Sequence, residues 1–137
     1  MVDASVAAKI FIEDALSETA ADLYRRYIFH APTLIMPELT NVFWKYVQLK
    51  KYPADAAEAA ISAVGRQLRL TEPTQLATDA LRLAVRLGHP AYDCFYLALA
   101  AQMKIPFLTA DKKLLRKIKS YKSVETISLH NVPEAFR

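Results

Sequence analysis

The chain has 137 residues, 53% of them hydrophobic, and carries a net charge of +4 with a single cysteine. That apolar share excludes disorder, and the lack of any run of about 18 apolar residues excludes a membrane span. One cysteine excludes an internal disulfide, so a single soluble domain over residues 1–137 in the reducing cytoplasm is expected. The N-terminus, MVDASVAAKIFIED, has an acid at position 3 and no basic start, unlike a signal peptide.

In chain order, Val2 is predicted to begin a very short strand that gives way at Asp3. Ser5 is placed to cap a first helix over SVAAKIFIED. A second helix is predicted over about 17 to 29. TLIM, 33 to 36, is a bounded apolar run ending at Pro37, which suits the first position of the helix PELTNVFWKYVQLKK. A helix over about 54 to 67, a short strand near 68 to 71 and a helix from Pro73 to Gly88 follow. HPAYDCFYLALA carries a helix over 90 to 103, apolar on almost every face. IPFLTA is a strand, DKKLLRKIKS a basic amphipathic helix and VETISL a last strand. Short strands alternating with helices predict an α/β domain with a mostly parallel sheet, whose function gathers at the C-terminal strand ends.

Four acids stand out against this pattern. Taken one at a time, Asp3 and Asp111 suit helix caps and Glu38 suits a helix dipole. Together, Asp3 ends the first strand, Glu38 follows TLIM and Asp111 ends IPFLTA, so parallel strands bring all three to one sheet edge. Asp93 lies in the first turn of the apolar helix, with Arg86 and Lys104 the nearest Lys or Arg in sequence. A buried charge needs a partner, and a cation shared with the other three acids is the economical one. His30, His89 and His130 have no ligand-like spacing and read as surface or capping residues. Carboxylates without cysteine or paired histidine select Mg²⁺ or Mn²⁺, and phosphodiester hydrolysis is the matching chemistry. Ser5, Asn41 and Thr109 stand at offsets suited to orienting the acids or holding water. No GxGxxG, GxxxxGK[ST], GxSxG or HExxH motif is present.

These stretches resemble the PIN-domain family, in particular VapC-type toxins of type II toxin–antitoxin pairs. The resemblance rests on VDASVAAKIF, APTLIMPELTNVFWK, HPAYDCFYLALA and IPFLTADKKLLRK, in that order. Residues 50 to 85 match only in helical character. The resemblance implies a three-layer α/β/α sandwich with a short, mostly parallel sheet, and endoribonuclease activity. It makes Asp3, Glu38, Asp93 and Asp111 the acidic quartet that binds one or two Mg²⁺ or Mn²⁺ ions. It also implies a homodimer and a cognate VapB-type antitoxin covering the acidic pocket. Only Met1 and Val2 precede Asp3, fewer residues than relatives usually have, so the N-terminal ammonium is a competitor for cation at Asp3.

Residues 101 to 137 hold eight Lys/Arg against three Asp/Glu, whereas residues 1 to 100 hold ten against eleven. Lys112, Lys113, Arg116, Lys117 and Lys119 follow directly on Asp111 and suit flanking RNA phosphates, with Lys9 a second candidate. The plainer reading is a solvated basic helix. Rival functions are a PIN nuclease of RNA processing, a DNA nuclease with similar acids, and a PIN-like module that binds RNA or a partner without cutting.

Overall fold

The computed structural model describes all of residues 1–137. Its strands are three residues long: β1 (His30–Pro32), β2 (Arg69–Thr71), β3 (Phe107–Thr109) and β4 (Thr126–Ser128). β1 pairs with β2 and β3 with β4, both in parallel. The N-terminal residues join the two pairs. Val2 N donates to His30 O at 2.9 Å, and Leu108 N donates to Met1 O at 2.8 Å. The result is a parallel sheet in the order β2, β1, Met1–Val2, β3, β4.

Seven helices surround it: α1 (Ala4–Ala7), α2 (Ser17–Arg26), α3 (Ile35–Lys50), α4 (Ala54–Gln67), α5 (Ala77–Leu87), α6 (Ala91–Met103) and α7 (Lys112–Ile118). α6 packs on β1 and β3 and carries α5, while α3 packs against α1 and α4 and α4 reaches β2. This is the α/β/α sandwich expected of the sequence. α6 earns its central place from composition. Cys94, Tyr96, Leu97, Ala98, Leu99 and Ala100 are all buried, and a helix apolar all round is stable only inside. Thirty-six buried residues form one continuous apolar core.

Several boundaries differ from expectation. TLIM is not a strand: β1 ends at Pro32, and Ile35 and Met36 already belong to α3. Pro37 is the third helical residue, which costs nothing because first-turn amides have no intrahelical acceptor. The first helix is a single α-turn, continued by a 3-10 turn over Ala8–Ile10. Its cap is Asp3, whose Oδ1 accepts from Val6 N at 3.1 Å, and not Ser5. α2 stops at Arg26, three residues early, and Phe29 turns into the core. Gly88 closes α5 in the left-handed conformation, φ 59°, as its position after Leu87 predicts. No helix is long and apolar enough to cross a membrane.

Candidate active site

Asp3 leaves the sheet between β1 and β3, and is the most enclosed of the four acids, 6% exposed. Ser5 Oγ donates to its Oδ1 at 2.6 Å and Thr109 Oγ1 to its Oδ2 at 2.5 Å. Both hydroxyls also accept from the next strand's exit: Ala110 N donates to Ser5 at 2.9 Å and Asp111 N to Thr109 at 3.0 Å. A small network therefore ties the ends of two neighbouring strands to one carboxylate. Burial nevertheless pushes the Asp3 carboxyl up to about 6; the three hydrogen bonds oppose the shift and the nearby Asp93 charge adds to it.

Glu38 stands in the first turn of α3, half-buried. Its Oε2 accepts from Tyr96 Oη at 2.5 Å. Burial raises its carboxyl above the usual range, opposed by the tyrosine and reinforced by the charges of Asp93 and Asp3. Asp3, Glu38 and Asp93 are thus near enough for their charges to act on one another. No Lys or Arg forms an ion pair with any of them.

Asp93 has a partner that the sequence did not disclose. His89 Nε2 lies 2.5 Å from its Oδ2. The Asp93 side chain is also 34% exposed and that of His89 only 15%, so the acid is neither unpartnered nor fully buried as expected. Asp111 turns to its own helix: its Oδ1 accepts from Lys113 N at 2.7 Å and Leu114 N at 3.0 Å, capping α7. Thr109 is its link to Asp3. The four acids therefore reach one edge without converging on one point, and no three His, Cys, Asp or Glu side chains stand ready-made as a metal cluster. The donor set is still entirely carboxylate and hydroxyl oxygen, and three of the acids repel one another without a Lys or Arg. A hard divalent cation fits that chemistry.

Other expected residues are placed less directly. Asn41 is exposed one turn beyond Glu38, and the donor to Glu38 is Tyr96 instead. Lys9 is engaged by Asp14. Lys112, Lys113 and Arg116 are exposed on α7. The N-terminal amine, far from competing at Asp3, donates to Pro106 O at 2.8 Å, and burial lowers it to about 5. Cys94 is fully buried and its thiol is pushed up to about 11, which suits packing and not nucleophilic work. His130, exposed, places Nε2 3.1 Å from Ala110 O at the margin of the site.

A PIN domain family model matches residues 1–120. The chain belongs to the PIN domain family, and its relatives mark it as a VapC-type member. It is 27% identical over 121 residues to "Ribonuclease VapC3" of Pyrobaculum aerophilum, covering 85% of this chain and 92% of that protein. It is 30% identical over 109 residues to "Exonuclease VapC9" of the same organism, covering 76% and 81% respectively. The crystal structure of PAE2754 from Pyrobaculum aerophilum shares its fold, with a TM-score of 0.70 at 24% identity over 91% of this chain and 81% of that one.

Proposed function

We propose that this protein is a Mg²⁺- or Mn²⁺-dependent ribonuclease, the toxin of a VapBC-type pair, with Asp3, Glu38, Asp93 and Asp111 as its catalytic and metal-holding residues. One observation supports the reading: burial, reinforced by the charge of Asp93, raises the proton affinity of Asp3 and Glu38 near the sheet edge, and no Lys or Arg is paired with any of the three acids. Such mutual repulsion is destabilising unless a cation relieves it. The printed names of two relatives, a ribonuclease and an exonuclease, support nuclease chemistry.

One or two bound divalent ions would supply a lowered pKa for attacking water and neutralise charge on the scissile phosphate. The chain's own residues do the rest. Ser5 and Thr109 hold Asp3 from opposite sides, Tyr96 holds Glu38 and His89 holds Asp93. Lys112, Lys113 and Arg116 begin beside Asp111 and bind flanking phosphates of the RNA. A VapB-type antitoxin covers the acidic cleft, and the toxin acts as a homodimer in the cytoplasm.

The test is cleavage of RNA by purified protein with Mg²⁺, Mn²⁺ or EDTA, followed by sequencing of the product ends. Internal cuts that require metal and vanish in Glu38→Gln are expected. Undiminished cleavage in EDTA or by Glu38→Gln overturns the assignment, and products shortened only from an end replace endonuclease by exonuclease action. For the toxin role, a small upstream reading frame should encode a DNA-binding antitoxin whose co-expression relieves growth arrest, and the absence of such a frame favours RNA processing.

A further inference from the structure

Tyr96 is fully enclosed in the core, yet it is the residue that meets Glu38. It lies three positions after Asp93 in α6, so a single helical turn delivers both an acid and the hydroxyl that binds a second acid. Its ring packs against Phe107, centroids 6.3 Å apart at 42°, and Phe107 opens the strand that ends at Thr109. The hydroxyl is therefore held from behind by the sheet.

Glu38 needs such a hold. Its near charges, Asp3 and Asp93, are both negative, and a long carboxylate with only repelling neighbours gains by swinging to water. Tyr96 supplies a neutral donor, so it orients Glu38 without cancelling the negative field. It engages Oε2 alone, which leaves Oε1 for another ligand.

We propose that Tyr96 is the positioning residue for Glu38, holding its carboxylate toward Asp3 and Asp93 so that the three acids receive a divalent cation together. This rests on the metal-dependent reading above. Removing a partner that orients a metal-binding carboxylate costs roughly 10- to 100-fold in affinity.

The test is a double-mutant cycle with Mn²⁺ binding measured by calorimetry on wild type, Tyr96→Phe, Glu38→Gln and the double variant. Tyr96→Phe keeps the ring and should weaken Mn²⁺ binding about 10-fold or more, while in the Glu38→Gln background it should change nothing further. Equal binding by Tyr96→Phe and wild type overturns the role, as does an equal loss in both backgrounds. Phe107→Leu disturbs the same packing and leaves the hydroxyl. If it weakens Mn²⁺ binding as much as Tyr96→Phe does, the effect is general packing and the proposal falls. Wild type that neither binds Mn²⁺ nor cleaves RNA overturns the nuclease reading itself, whereas wild type that does both with an indistinguishable Tyr96→Phe overturns only the role of Tyr96.

Discussion

Thr109 Oγ1 donates to Asp3 Oδ2 at 2.5 Å while accepting from Asp111 N at 3.0 Å, so one buried hydroxyl joins two acids that are 108 positions apart in sequence. Thr109→Val keeps the shape and removes both bonds. A buried carboxylate and an amide each lose a partner, at a cost of about 1–3 kcal/mol per unsatisfied group. The melting temperature should fall by several degrees, and the acid limb of the cleavage profile should move to higher pH because a hydrogen bond that favours ionised Asp3 is gone. Thr109→Ser should retain most of both properties. Melting curves and pH–rate profiles of the two variants check this.

The raised Asp3 carboxyl has a definite sign in stability. Its folded value of about 6 lies above its ordinary 3.8, so the folded state binds its proton more tightly. The stabilising contribution is complete below about pH 4 and is lost as pH rises through about 6, a difference on the order of 3 kcal/mol for two pH units. In metal-free protein, melting of wild type relative to Asp3→Asn should therefore decline from pH 4 to pH 7. Cleavage should show the opposite trend, rising as the carboxylate forms, with its acid limb below the metal-free value because a bound cation favours ionised Asp3. A difference in melting that is flat with pH would refute the assigned ionisation.

Asp93→Asn should leave the metal-free protein as stable as wild type or slightly more so. It removes the charge that raises Asp3 and Glu38 and keeps an oxygen for His89. Cleavage should be lost. Mg²⁺ or Mn²⁺ at 100 times its dissociation constant should stabilise wild type by about 2.7 kcal/mol, and Asp93→Asn much less. Melting with and without EDTA reads both effects, and a variant that melts well below wild type while still cutting RNA would make Asp93 structural.

The basic residues should separate by their partners. Lys112, Lys113 and Arg116 are exposed and lack ion pairs, whereas Lys9 is held by Asp14. Each α7 residue changed to alanine should reduce the slope of log affinity against log salt by about 0.7 for single-stranded RNA. Lys9→Ala should change it less. Binding measured on Glu38→Gln protein between 50 and 200 mM salt, by order-of-magnitude titration, provides the comparison.

Local chemistry determined much of this molecule from the sequence alone. The apolar run of α6, Gly88 after α5, the basic face after Asp111 and the alternation of strands with helices are all set by neighbours within a few residues. The caps at Asp3 and Asp111 are equally local. The positions of Asp3, Glu38 and Asp111 after short apolar runs also led to the expectation that parallel strands bring these three acids to one sheet edge. Tertiary structure decided how each acid is held. Tyr96 meets Glu38 across 58 positions and Thr109 meets Asp3 across 106, pairings that exist only once the sheet order is formed. His89 precedes its helix across an extended Pro90, ψ 141°, so helical spacing did not reveal its reach to Asp93. The same limit placed β1 at His30–Pro32, ahead of TLIM: an apolar run reports burial, but pairing with Arg69–Thr71 put the strand on the residues just before it.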